Sequence, residues 1–420
     1  AGMTRDPNGR AASRMRPTVA VVYDLGAVSA ASIRAAAGRH VDVVFICDRK
    51  HSHVAATIEQ VRQFARVVDV TGLDQQDAIR VLRDLRAAGI LTFSEFRIAD
   101  TARIAEALDL PGHDLAVVEK LTDKFAQRRA LAAAGVQATA VAVVGADPRA
   151  AAGAVGFPAV LKPRVGAGSV HTVGVADLAE LERALLEFPS DVEFVLEEFL
   201  RGDPSAAGDR WGDYVSVESI HAGGRSRAVC VTGKFPLAPP FRETGMLLPN
   251  TLRQSTIDDV LALEAAAIEA IGVRHGVTHT EIKLTDKGPR IIEVNGRVGG
   301  YVSDILKRST GINLIATALE IAAGRFPDIP QAEFSAVCYE YLLTPPAGTR
   351  GRLVSTGGWD EVAAIPGVVH VEPRVQPGDF VDWQQGTQSL LGIVYGEAPD
   401  HDALHEHVKA IDAAFHAVFA

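Results

Sequence analysis

The sequence predicts an α/β protein whose N-terminal part is a parallel sheet covered by helices on both faces. Three observations predict it. Short apolar runs rich in β-branched residues recur: TVAVVYD at 18–24, VDVVFICD at 41–48 and ILTFSE at 90–95, with another expected inside VRQFARVVDV. Helical stretches fall between them, one alanine-rich over 30–39 and one over IRVLRDLRAAG at 79–89, ended by Gly89. Strands that alternate with helices need crossover connections, and those connections make a sheet parallel and cover its faces. The turn after the first strand, Asp24-Leu25-Gly26, lacks the GxGxxG spacing, so no dinucleotide-binding domain is expected.

The pattern then changes. Residues 121–136, LTDKFAQRRALAAAGV, predict one helix capped by Thr122 or Asp123 and stopped at Gly135. VGFPAVLKPRVGAGSVHTVGV at 155–175 predicts a strand, a glycine-rich turn and a strand. EFVLEEFLRG at 193–202 is a strand entering a tight connection, and 203–213 an exposed loop. YVSVESIHAGG and RAVCVTGK form a hairpin closed at Gly223-Gly224. A helix is expected over 256–271. THTEIKLTDKGPRIIEVNGRVGG at 278–300 is a second hairpin, with its turn at Asp286-Lys287-Gly288-Pro289. A helix over 312–324, short strands from about 335 and a closing helix from His401 complete the chain.

Composition bounds the function. The 420 residues are 47% hydrophobic and 22% charged, enough for a large core without disulfides or a structural metal. A net charge of −10 argues against broad binding to nucleic acid or to an anionic membrane. Cys47, Cys230 and Cys338 share no metal-ligand spacing and fit buried thiols in a reducing cytosol. No secretory signal and no apolar stretch long enough to cross a bilayer are expected. The expectation is therefore a cytoplasmic protein with neither nucleic-acid nor membrane partners. Ala1 and Gly2, ahead of Met3, are read as an addition, and 1–17 as a mobile tail.

The chemistry gathers in the second hairpin. Glu293 and Asn295 are two apart, so on a strand they share a face, and a tight hairpin sets Glu281 opposite them. Two carboxylates and an amide oxygen make a hard oxygen site suited to Mg²⁺. Arg297 follows Asn295 by two and, on an extended strand, shares that face. Its guanidinium can grip a carboxylate or a transferring phosphoryl group in two-pronged fashion. Gly296, Gly299 and Gly300 leave room for a ligand to approach the backbone. Lys162 ends the strand AVLKP beside the flexible loop VGAGS, a phosphate-gripping arrangement with no P-loop pattern. Lys124 sits near a helix N-terminus, where free N–H groups also favour phosphate.

Together DKFAQRRALAAAGV, FPAVLKPRVGAGS, VLEEFLRG and HTEIKLTDKGPRIIEVNGRVGG resemble the ATP-grasp superfamily of carboxylate–amine ligases, and within it the dipeptide-forming L-amino acid ligases. The resemblance implies a multi-domain α/β architecture: a Rossmann-like pre-ATP-grasp domain at 18–118, a small subdomain with the glycine-rich loop at 119–191, a large subdomain with the metal site at 192–334 and an α+β region at 335–420. It implies that Lys124 and Lys162 contact ATP phosphates and that the loop of Gly166, Gly168 and Ser169 closes over them. Glu197, Glu198 and Phe199 would form the adenine hinge, with Glu198 or a nearby acid on the ribose. Glu281 and Glu293 would hold two Mg²⁺ ions, replaceable by Mn²⁺, with Asn295 on one. Arg297 would bind the substrate carboxylate and stabilise an acyl-phosphate, with Lys162 and Glu293 also catalytic. Glu218, Glu243, His279, Gly299 and Gly300 are candidates to line the substrate cleft, with Glu243 and His279 as general bases for the amine. Residues between Pro236 and Pro249 are further pocket candidates. His171, after the loop, is expected to cap a turn rather than touch a phosphate. The partners implied are a small carboxylate and a small amine, with a possible homodimer. The alternatives are a biotin carboxylase-like or purine-pathway ligase, and a catalytically silent ATP-binding regulator.

Overall fold

In the computed structural model, residues 16–420 are described, so the tail expected over 1–17 lies, apart from Arg16 and Pro17, outside the described residues. The first sheet is parallel, in the order β3-β2-β1-β4. It comprises β1 (Thr18–Val22), β2 (Asp42–Cys47), β3 (Arg66–Asp69) and β4 (Gly89–Thr92), with α1 (Ala30–Ala37), α2 (Ser52–Arg62), α3 (Gln75–Asp84) and α4 (Ile98–Ala107). Its strands are continuously apolar because both faces are covered. Val19, Val21 and Phe45 pack with Ile33, Val54 and Ile58 on one side. Ala20, Val22, Val44 and Ile46 meet Leu82 and Ala105 on the other. Side chains alternate faces with period two, so neither parity can be polar. Fully burying an aliphatic side chain of this kind is worth roughly 1.5–3 kcal/mol.

Two boundaries differ from expectation here. The helix expected over 79–89 begins at Gln75, where the Asp74 side chain accepts the Asp77 N–H, and ends at Asp84. Gly89 opens β4 instead of ending a helix; a Cβ there would lie 1.7 Å from the Ala322 carbonyl oxygen. The strand expected over 90–95 gives way to a 3-10 turn, Glu95–Arg97, just past the C-terminal end of β4. Ligand crevices of parallel sheets lie at that end of the strands.

The helix expected over 121–136 is two helices, α5 (Leu115–Thr122) and α6 (Lys124–Ala133). Asp123 between them is extended (φ −105°, ψ 111°), and its carboxylate accepts the N–H groups of Phe125 and Ala126. Of the two expected caps, Asp123 is the one used. The second sheet is antiparallel, β5-β8-β6-β7. It holds β5 (Val141–Val143), β6 (Ala159–Pro163), β7 (Val173–Val175) and β8 (Phe194–Glu198), backed by α7 (Pro148–Val155) and α8 (Leu178–Glu187). The glycine-rich segment joins β6 to β7.

The third sheet is antiparallel with eight strands, β13-β12-β9-β10-β11-β14-β18-β16. These are β9 (Tyr214–Ala222), β10 (Arg225–Lys234), β11 (Gly245–Leu248), β12 (Gly276–Thr285), β13 (Gly288–Asn295), β14 (Val337–Leu343), β16 (Val368–Pro373) and β18 (Gly392–Ala398). Around them lie α9 (Gln254–Ile271), α10 (Val302–Thr310), α11 (Leu314–Ala322), α12 (Trp359–Ala363) and α13 (His401–Ala414). A small sheet of β15 (Arg350–Gly357), β17 (Phe380–Asp382) and β19 (His416–Phe419) completes the chain, so the closing helix is followed by one more strand. The turn between β12 and β13 is shorter than expected. Only Asp286 and Lys287 lie between the strands, and Gly288 (φ +102°) and Pro289 already pair.

Residues 203–213, expected to be an exposed loop, are a loop exposed at Pro204, Ser205, Asp209 and Arg210 and packed down at its end. Trp211 is 7% exposed against Phe235 and His401, and Asp213 accepts from Lys283 Nζ at 2.7 Å. Of the expected pocket stretch 236–249, the part from Gly245 onward is a core strand, with Met246, Leu247 and Leu248 buried. Among the described residues, no helix is long and apolar enough to cross a membrane.

Candidate active site

The second hairpin sets the register of the acids. Glu281 pairs with Glu293, and His279 with Asn295. The next pair is Ile282 with Ile291, so Ile292 is an extra residue, a bulge beside Glu293. Asn295 Nδ2 donates to the His279 carbonyl at 3.2 Å, which leaves Oδ1 as the side chain's acceptor. β13 stops at Asn295, so Arg297 reaches in from the following loop rather than along the strand. Its Nη2 still lies 3.4 Å from Asn295 Oδ1. Among the described residues, no three His, Cys, Asp or Glu side chains group to hold a metal by themselves. Two carboxylates and an amide oxygen nonetheless fit Mg²⁺, which keeps waters and draws on substrate phosphates.

Cations face these acids. Lys124, the first residue of α6, places Nζ 3.2 Å from Glu293 Oε1 and donates to the Gly166 carbonyl at 2.9 Å. Lys162 on β6 is 6% exposed and forms an ion pair with Glu197. Arg128, which the sequence reading did not single out, reaches the same carboxylate from α6 with Nε 2.9 Å from Glu197 Oε2. Burial opposes ionisation of Glu197, but Arg128 and Lys162 outweigh it and hold its pKa at about 2. Burial pulls the Lys162 pKa below the usual lysine range, against Glu197; Glu293 and Lys124 are close enough to act on its charge. Lys162 is thus joined to the strand of Glu293 through Glu197 and Arg128, which also donates to the Ile292 carbonyl.

The two acids expected at the adenine hinge, Glu197 and Glu198, are both engaged within the protein. Glu198 accepts from the Ala140 N–H at 2.8 Å and from Arg290 at 2.8 Å. Phe199 is 36% exposed, its ring 6.3 Å from that of Phe241. The glycine-rich loop takes left-handed backbone at Gly168 (φ +72°) and at Ser169 (φ +55°). It is tied to the C-terminal region: the Thr387 N–H donates to the Gly168 carbonyl at 2.9 Å, and the His171 N–H to the Gln384 carbonyl at 3.3 Å. The His171 ring lies 5.1 Å from that of Phe188.

Among the residues expected to meet substrate, Arg297 donates through Nε to Glu95 Oε2 at 2.9 Å, and Glu95 is 8% exposed. Burial raises the Glu95 pKa, with Arg297 opposing. Lys234 on β10, 2% exposed, donates to Glu243 at 3.0 Å. Burial works to lower its pKa, but the carboxylates of Glu243, Glu281 and Glu218 raise it above the usual value. Glu243 thus carries a cation. His279 Nδ1 lies 2.9 Å from Glu218 Oε2; burial depresses its pKa, but Glu218 pushes it up to about 9. The carboxylate of Glu218 is thus the nearest partner of the His279 ring, the other candidate for a general base. Glu218 is wholly buried beneath His279 and bound by Ser216 Oγ at 2.7 Å, so it does not line an open cleft.

Of the two glycines after Arg297, Gly299 packs and Gly300 is open. A Cβ on Gly299 would fall 2.3 Å from His279 Nδ1, whereas one on Gly300 meets nothing within 4 Å. Gly299→Ala is expected to cost about 1–3 kcal/mol by overpacking against His279, read as a lowered urea midpoint. An unchanged midpoint would show that the His279 ring yields freely.

Arg128, Lys234 and Glu95 were absent from the sequence reading. Only Glu95 had a usable signal, its place after the last strand of a parallel run.

Comparison with known proteins agrees with this layout. A family profile described as the ATP-grasp domain matches residues 155–304, and one described as L-amino acid ligase C-terminal domain 2 matches 343–420. The chain is 28% identical over 361 residues to uncharacterized protein y4rH of Sinorhizobium fredii, covering 82% of this chain and 72% of that one. It is 27% identical over 314 residues to alanine–anticapsin ligase of Bacillus subtilis, covering 69% of this chain and 62% of that one. The solved L-amino acid ligase from Bacillus licheniformis superposes with a TM-score of 0.80 at 21% identity, over 97% of this chain and 100% of that one. The expected fold and resemblance hold: residues 155–304 match the ATP-grasp domain, residues 343–420 match the L-amino acid ligase C-terminal domain 2, and the chain shares the fold of a solved L-amino acid ligase.

Proposed function

We propose that this protein uses ATP to join the carboxylate of one amino acid, or a related acid, to the amine of another. The observation that supports it is the convergence of Glu281, Glu293 and Asn295 with Lys124 and Lys162, beside Arg297. A carboxylate oxygen attacks the γ-phosphorus of ATP, the bond to the bridging oxygen breaks, and ADP leaves an acyl-phosphate. The amine then attacks the acyl carbon, phosphate departs, the amine proton is lost and an amide remains. Lys124 and Lys162 neutralise charge on the phosphoryl oxygens, the main demand of phosphoryl transfer. Arg297, steadied by Glu95, holds the substrate carboxylate and then the acyl-phosphate. Phe199 lies against the adenine, and the loop of Gly166, Gly168 and Ser169 covers the phosphates and excludes water from the intermediate. Mg²⁺, two ions replaceable by Mn²⁺, would be held by Glu281, Glu293 and Asn295 and would supply charge neutralisation on the phosphates.

The test incubates the protein with ATP, Mg²⁺ and a matrix of amino acids, reading phosphate release and product mass. ADP with a condensation product is expected. AMP with pyrophosphate would reject the acyl-phosphate route.

A further inference from the structure

β13, which carries Glu293 and Asn295, is the edge strand of the eight-stranded sheet. It pairs with β12 on one side only. An edge leaves a row of backbone N–H and C=O groups without a strand partner, and buried ones are costly to leave unmet. Here side chains meet them. Gln127 Oε1 accepts the Val294 N–H at 2.8 Å, and its Nε2 donates to the Val294 carbonyl at 2.9 Å. Arg128 forks onto the carbonyls of Ile291 at 2.6 Å and Ile292 at 2.7 Å. Gln137 Oε1 accepts the Ile291 N–H at 2.6 Å, and its Nε2 donates to the Ile291 carbonyl at 3.0 Å. Gln127 and Arg128 are each 3% exposed, and Gln137 is 9% exposed.

These bonds flank Glu293 on both sides. Arg128 holds the bulge residue Ile292, whose insertion sets Glu293 opposite Glu281. Gln127 holds the residue that follows. Both lie on α6, the helix that begins with Lys124, whose ammonium meets Glu293. The cation and the acid are therefore fastened to one helix.

We infer that Gln127, Arg128 and Gln137 are positioning residues, a side-chain ladder in place of a ninth strand that fixes Glu293 for its metal ion and in register with Lys124. This rests on the proposed role of Glu293 as a metal ligand. Partners that orient a ligand typically matter 10- to 100-fold for metal affinity, so Gln127→Leu and Arg128→Lys are each expected to weaken binding about tenfold. Arg128→Lys keeps a charge for Glu197 but loses the fork. Gln137→Leu, whose bonds are two residues from Glu293, is expected to weaken it less, about threefold.

The readouts are Mn²⁺ affinity in the presence of ADP, by electron paramagnetic resonance, and the Mg²⁺ concentration for half-maximal phosphate release. Gln127→Glu keeps the bond from the Val294 N–H and is expected to fall between wild type and Gln127→Leu, which preserves the test if the leucine variant fails to fold. Variants that lose thermal stability while Mn²⁺ affinity stays within about twofold of wild type would overturn the inference and leave the proposed function standing. Wild-type protein that binds no Mn²⁺ with ADP would overturn both.

Discussion

Glu293→Gln is expected to lower phosphate release about a thousandfold while leaving the chain folded, because it removes a carboxylate proposed to hold the Mg²⁺ that neutralises phosphoryl charge. Glutamine has nearly the same shape and still offers an oxygen to Lys124, which stands 3.2 Å from Glu293 Oε1. The variant therefore separates charge from packing. The strand is held through backbone groups of Ile291, Ile292 and Val294, none of which the substitution touches. Steady-state phosphate release, with a thermal melt on the same sample, checks it. Activity within tenfold of wild type would remove Glu293 from the reaction.

Glu197→Gln is expected to produce the largest loss of stability. Glu197 is 4% exposed and shared by Arg128 and Lys162, themselves 3% and 6% exposed. Removing the one acid leaves two buried cations facing each other, and breaking a buried pair in this way typically costs about 3–5 kcal/mol. The loss depends on pH. The carboxyl titrates near 2 in the folded chain, below its ordinary value of 4.5, so the unfolded chain binds its proton more readily. Its contribution is whole above pH 4.5 and drains as pH falls from there towards 2. Urea midpoints of wild type and variant should therefore differ most near neutrality and draw together below pH 4.5. A gap that stays constant across that range would show that the acid is not ionised in the folded state.

Legibility followed distance along the chain. That Glu281 faces Glu293 and Asn295 across a hairpin could be read, because period two puts Glu293 and Asn295 on one face and a tight turn brings the other strand beside them; the exact pairing could not, because the turn is shorter than expected. The bulge at Ile292 could not, since nothing in Arg290-Ile291-Ile292-Glu293 distinguishes one isoleucine as extra. Lys124 and Lys162 stood beside local features, a helix start and a glycine-rich loop. Arg128 stood in a helix among other polar residues, where an arginine is ordinarily solvated; its burial arises only when β8 and β13 close over it. Lys234 was hidden the same way, its partner Glu243 lying on a separate loop. The contact between His279 and Glu218 was hidden as well, because the two lie on different strands far apart in the chain. The single helix expected over 121–136 failed at Asp123, a residue that helices tolerate but that breaks them when its carboxylate turns to cap.

β11 and β14 are paired from Gly245 with Tyr341 to Leu248 with Cys338, so the sheet that bears the metal-side hairpin runs without a seam into the last quarter of the chain. Chimeras spliced near residue 335 would set β11 of one parent against β14 of another, and a mismatch there would leave strand edges poorly paired, an invitation to aggregate. An exchange of C-terminal regions between relatives therefore has to carry the 245–248 segment across with the graft. That segment is itself buried, so the graft must bring its packing partners into agreement as well.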